Sequence, residues 1–138
     1  MFLTNSRIGQ IGEDAAVKHL EGKGYSIVSQ NYELPMGEID IVIKDGRRYR
    51  FVEVKTSLDT YQDNFRPEER VDKRKRRRLQ GLCETYLIRE GIDPKTEWQI
   101  DIVAVTLDKD GKVKHIEHIE NAVWDHRGVW GLVKLKSL

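Results

Sequence analysis

Apolar and polar positions along the chain change their period several times, and each change marks an element. Between residues 7 and 21, Ala16, Val17 and Leu20 recur at helical spacing, behind Asn5 and Ser6, either of which suits an N-cap. Gly22-Lys23-Gly24 ends that helix with a C-cap signature. Residues 25–30 form a strand pattern, and Pro35-Met36-Gly37 breaks the chain after it. Two apolar strands follow, at 38–44 and 48–56, separated by Asp45-Gly46, a strong short hairpin signal. Residues 57–66 carry no periodicity and are expected to be a loop of the kind that carries function. A second helix is predicted from Pro67 to about residue 89, closing at Gly91 with Pro94 beyond. Residues 98–105 are a further strand, and Asp110-Gly111 turns it into another at 112–119. From 121 to 138 the pattern is poor; Trp124, Val129, Trp130, Leu132, Val133 and Leu135 need a surface, on this chain or on a second copy. Without repeats, linkers or low-complexity tracts, residues 1–138 are expected to be one domain with a C-terminal extension at 122–138. The order αβββαββ predicts an α/β fold, a mixed sheet with helices on its faces.

The hairpin strands carry charges that a core strand has no structural use for. Alternate residues face opposite sides, so Glu53 and Lys55 share one face while Val52 and Val54 line the other. If Asp45-Gly46 is a two-residue turn, Lys44 pairs with Arg47, Asp40 falls opposite Phe51 and Glu38 opposite Glu53. Asp40 then shares the face of Glu53 and Lys55, within reach of a common ion. A three-residue loop would slip the register by one and turn Asp40 away. Two acids and a lysine on one patch outline a metal-and-phosphate site, which points to a nuclease. The plainer reading is an ion pair on an edge strand with Asp40 at a sheet end.

Composition sharpens this only locally. Charged residues make up 34% of the chain, yet the net charge is +1, so the whole molecule has no strong field for polyanions. Between Arg66 and Arg78, however, eight basic residues face three acids, and Lys73 to Arg78 are six consecutive cations. Such a run is either a nucleic-acid patch or a solvated helix face. Leu79, Leu82, Cys83, Tyr86 and Leu87 define the buried stripe of that helix. At about 100° per residue, Lys75 lies within about 40° of Leu79, Leu82 and Tyr86. Lys75 is therefore expected to aim at the sheet, to meet a phosphate or carboxylate or else to snorkel at the core's edge. Arg74, Arg76 and Arg77 should point more to solvent.

Further residues leave alternatives open. Glu13 shares the inward face of Ala16, Val17 and Leu20; it joins a metal site or pairs with Lys18 or Arg7. Asp101, on an otherwise apolar strand, is an acid behind the site or a partner for an arginine. His115 and His118 lie three apart on a strand, hence on opposite faces, which argues against a joint metal site. His118 is expected to pack or hydrogen-bond. Cys83 belongs to a buried stripe; as the single cysteine it excludes an internal disulfide and fits a reducing compartment. With no membrane-length apolar stretch and no signal-peptide pattern at residues 1–6, a cytoplasmic location is expected.

Gly37-Glu38-Ile39-Asp40, a short hairpin, then Phe51-Val52-Glu53-Val54-Lys55 resembles the PD-(D/E)XK nuclease signature, with Asp40, Glu53 and Lys55 as its core. More narrowly, the chain resembles the YraN-like family of small uncharacterised proteins with a restriction-endonuclease-like fold. Gly12-Glu13 with Ala16, Thr56 after Lys55, Pro67-Glu68-Glu69 and Lys75-x-Arg77-Arg78-Leu79 carry that likeness. So do Tyr86-Leu87, Asp101-Ile102-Val103 and His118-Ile119-x-Asn121-Ala122, in order over residues 12–122. Two departures fall where substrate would be gripped: Ser57 stands where an arginine is common, and residues 58–65 lack the usual glycine. Arg66 is a candidate substitute.

The resemblance implies a restriction-endonuclease-like mixed sheet and a Mg²⁺ (or Mn²⁺) site. Asp40, Glu53 and the Val54 carbonyl would be ligands, with Glu13 acting directly or through water and Glu38 as an extra ligand or brace. Lys55 would orient or deprotonate the attacking water or stabilise the phosphate. Lys75 with Lys73, Arg74, Arg77 and Arg78 would hold phosphates, giving affinity without sequence information. The implied activity is endonucleolytic hydrolysis of DNA, in preference to RNA, including branched or flapped structures, by a protein with no membrane partner. A homodimer through the apolar tail is compatible with symmetric cutting. The alternative is a non-catalytic nucleic-acid-binding accessory protein in recombination or repair, since fold does not fix function. A purely protein-binding scaffold ranks last, because it makes the acids and the basic run coincidental.

Overall fold

The structure, a computed structural model, describes residues 3–59 and 73–122. The order is α1 (Asn5–Gly22), β1 (Ser26–Leu34), β2 (Gly37–Asp45), β3 (Arg48–Leu58), α2 (Lys73–Arg89), β4 (Trp98–Leu107) and β5 (Val113–Ile119). The five strands form one sheet in sequential order, antiparallel except for the parallel pair β3–β4, whose crossover contains α2. This is the αβββαββ mixed sheet the pattern predicts. β3, which carries Glu53 and Lys55, is the middle strand of the five, although at these two residues only β4 pairs with it.

Both faces of the sheet are covered. On one side Ile41, Ile43, Val52, Val103, Val105 and Leu107 pack against Ala16 and Leu20 of α1. On the other, Val42, Phe51 and Ile100 pack against Leu79, Leu82, Cys83 and Tyr86 of α2. Strands buried on both sides show unbroken apolar runs, which is why Ile41-Val42-Ile43 lacks alternation. Gly12 brings α1 unusually close to β3: a Cβ there would lie 1.9 Å from Thr56 Oγ1.

Several boundaries differ from the sequence expectation. Thr4, not Asn5 or Ser6, caps α1, its hydroxyl accepting from the Arg7 amide at 3.0 Å. β1 runs four residues further than expected, and β3 continues through Ser57 and Leu58, which the lack of periodicity had assigned to a loop. The expected helix start at Pro67, residues 60–66 of the expected loop, and the tail beyond residue 122 lie outside the described residues.

The hairpin turn is Gly46-Arg47, closed by Asp45 opposite Arg48. Gly46 takes φ 66° and Arg47 stays at negative φ, the pattern of a II′ turn, which needs glycine first. The register is therefore two residues away from the Lys44–Arg47 pairing. A shift of two preserves faces, so Asp40 stays on the Glu53 side.

Candidate metal centre at a fork in the sheet

Pairing between β2 and β3 ends at Ile41 opposite Val52. Beyond that point β2 pairs only with β1, down to Gly37, while β3 pairs only with β4, out to Leu58. The sheet forks, and the charged residues gather at the opening. Asp40, one step past the last pair, turns its carboxylate across the gap and accepts the Val54 amide at 2.8 Å. Amide and carbonyl of one strand residue project to the same side, so the Val54 carbonyl also faces the fork.

Three carboxylates converge there. Oxygens of Glu13, Glu38 and Asp40 lie within 4.8 Å of one another. Glu13 arrives from α1, seated by the close contact at Gly12. Instead of pairing with Lys18 or Arg7, it accepts the Asn31 side-chain amide at 2.8 Å. Burial pushes the Asp40 carboxyl up to about 8, and repulsion from Glu53, Glu13 and Glu38 adds to this against the lowering effect of the Val54 hydrogen bond. A dication held among these oxygens would reverse that penalty. The donor set is all oxygen, which suits Mg²⁺ or Mn²⁺ rather than a thiolate-seeking ion.

Glu53 stands slightly apart from the three, ion-paired to Lys55 at 3.2 Å with both side chains largely buried. Lys75 reaches this pair from α2. A hydrogen bond with Lys55, then burial, lowers the Lys75 pKa from its ordinary value. The helical spacing that aimed Lys75 at the sheet thus matches its position. Arg74, Arg77 and Arg78 are exposed. Arg76 is not: it is buried, because it stands seven residues before buried Cys83, two turns away on the same side. The Lys73 side chain lies outside the described parts. A cleft of about 290 Å³ opens beside Glu13 on the α1 side, lined by Asn5, Ile8, Gly9, Glu13, Val54 and Thr56.

Asp101 is engaged elsewhere. Fully buried, it accepts from Arg50 at 3.0 Å, Gln99 at 2.7 Å, the Asn121 amide at 2.7 Å, and pairs with His118 Nε2 at 2.8 Å. Of its two readings, the arginine partner describes its contacts. Arg50 also bonds Asp45 and Glu120, each at 2.8 Å, and stacks over Tyr25 at 4.9 Å. Lys23 Nζ lies 2.7 Å from His118 Nδ1, so His118 has a hydrogen-bonding role, while His115 is exposed. Burial raises the Cys83 thiol pKa well above its ordinary value, which leaves Cys83 a core residue.

Asn31 escaped the sequence reading. Its signal was a polar residue tolerant of left-handed backbone directly after the strand pattern at 25–30, and here φ is 50°.

The model of the uncharacterised protein family UPF0102 matches residues 12–105, which include Glu13, Glu38, Asp40, Glu53, Lys55 and Lys75. A UPF0102 protein of Moorella thermoacetica is 43% identical over 123 residues, 88% of this chain and 99% of that one. Another, from Pelotomaculum thermopropionicum, is 38% identical over 115 residues, 83% of this chain and 93% of its own. A third, from Porphyromonas gingivalis, is 40% identical over 114 residues, covering 83% and 82%. Matches of this extent, spanning the fork and both helices that serve it, make the chain a member of the UPF0102 family.

Proposed function

We propose that this protein is a metal-dependent endonuclease that hydrolyses phosphodiester bonds in DNA. The observation that carries the reading is the convergence of Glu13, Glu38 and Asp40 at the fork, beside the Glu53–Lys55 pair. Acids forced together where one of them titrates near 8 are unfavourable unless a cation joins them. Asp40, Glu13 and Glu38 would hold Mg²⁺ or Mn²⁺, with Glu53 and the Val54 carbonyl at the border of the same space. The ion supplies charge neutralisation at the phosphate and a bound water of lowered pKa.

The remaining work falls to the chain's own groups. Lys55, held by Glu53, presents an ammonium to the scissile phosphate and can orient the attacking water. Lys75, in contact with Lys55, brings a second basic nitrogen to the same spot. Arg74, Arg77 and Arg78 offer phosphate contacts on the exposed side of α2, which fix position rather than sequence.

The test is cleavage of labelled duplex, single-stranded, flapped and four-way-junction DNA with Mg²⁺ or Mn²⁺, beside Asp40→Asn and Lys55→Ala. Metal-dependent cutting lost in both variants supports the assignment. Tight, salt-sensitive binding without any cutting, unchanged in the variants, overturns it in favour of an accessory binding protein.

A further inference from the structure

We propose that Asn31 is a positioning residue for the metal centre, acting through Glu13; the inference rests on the metal reading above. β1 and β2 pair at Gln30–Ile41 and at Tyr32–Ile39, and between these rungs Asn31 stands level with Asp40. There Asn31 takes φ 50°, a left-handed conformation in mid-strand with paired residues on both sides. No turn requires it, and a residue with a Cβ adopts it at an energetic cost. The side chain shows what accompanies that conformation: its amide nitrogen sits 2.8 Å from Glu13 Oε1. A carboxylate only accepts, so the amide must donate.

That donation does two things. It offsets part of the repulsion among Glu13, Glu38 and Asp40, whose oxygens crowd within 4.8 Å. It also occupies one Glu13 oxygen in a defined direction and so leaves the other oriented relative to the remaining acids. Groups that orient ligands in this way typically change metal affinity by roughly 10–100-fold when lost. Asn31 is exposed, so burial offers no competing reason for its identity.

The experiment is Mn²⁺ titration of the full chain by calorimetry, for the original protein, Asn31→Gly, Glu13→Gln and the double variant. Glycine keeps the left-handed backbone while removing the amide, and a thermal melt of each sample checks the fold. Asn31→Gly is expected to weaken Mn²⁺ binding about 10-fold with an unchanged melt, and to cost less than about two-fold once Glu13 is glutamine. Full affinity in Asn31→Gly overturns the proposal alone. Equal losses in both backgrounds also overturn it, because the amide would then not act through Glu13. An original protein that binds no Mn²⁺ overturns the metal reading itself, and this inference with it.

Discussion

The Asp40 carboxylate accepts the Val54 amide at 2.8 Å, so a side chain of β2 completes the hydrogen bonding of β3 where the two strands part. A carboxylate in that place keeps the fork open and stays close to three other acids. Its protonation therefore bears on the stability of the metal-free protein.

In the unfolded chain Asp40 titrates near 3.8, and in the fold at about 8. Between these values the folded protein holds a proton that the unfolded chain has released. Metal-free stability should consequently fall as pH rises from about 4 to about 8, then level off. Asp40→Asn retains an acceptor for Val54 and removes the charge. At pH 8.5 it should raise the melting temperature by roughly 4–8 °C, and added Mg²⁺ should stabilise only the original chain. Calorimetric melts across pH check this; a variant less stable than the original at pH 8.5 would refute it.

Asp101 predicts the opposite slope. Burial alone would raise its pKa, but hydrogen bonds from His118, Gln99 and the Asn121 amide hold it below the ordinary value. Its contribution is present above pH 4 and disappears as pH falls through the lowered folded value. Asp101→Ala leaves a nearly buried Arg50 guanidinium short of one carboxylate and should cost about 3–5 kcal/mol in urea unfolding at pH 7. A loss below about 1 kcal/mol would show that Asp45 and Glu120 suffice.

Gly12→Ala should be poorly tolerated despite alanine's better helix propensity. Its Cβ would meet Thr56 Oγ1 at 1.9 Å and Thr56 Cβ at 2.8 Å, forcing α1 off β3. The expected loss is about 2–3 kcal/mol, and adding Thr56→Ala should recover part of it. Equilibrium unfolding of the single and double variants decides; a stabilised Gly12→Ala would mean the helix shifts freely.

Replacing exposed Arg77 and Arg78 by alanine should weaken DNA binding to a similar degree across sequences. The slope of log affinity against log salt should fall by about 0.9 for each lost phosphate contact on duplex DNA. Fluorescence anisotropy over a salt series measures it. An unaltered slope would mean that α2 presents its arginines to solvent only.

The strands, their order and the inward aim of Lys75 were legible because burial on a sheet or helix face repeats at a fixed period. The Asp45-Gly46 signal located the hairpin but not its register, since glycine served the first rather than the second turn position. The shift of two left every face intact, so the grouping of Asp40 with Glu53 survived the wrong pairs. The fork was not legible: where two strands cease to pair depends on the neighbours each keeps, which no local pattern encodes. For that reason Glu38 was left open as an extra ligand or a brace although it stands with Glu13 and Asp40, and Asn31 was not ranked at all. Arg76 was misjudged although Cys83 and Leu87 of the same buried stripe flank it on the helix, because the inward direction was judged from Leu79, Leu82 and Tyr86 alone.

Every acid at the fork rides on a regular element: Glu13 on α1, Glu38 and Asp40 on β2, Glu53 on β3. Among the described residues, no connecting segment contributes one. Their mutual spacing is set by ladders of backbone bonds and by a single tight helix contact, the most exacting supports a fold has. The acids and the exposed arginines of α2 stand on different elements, so substitution can alter either set while the other keeps its place.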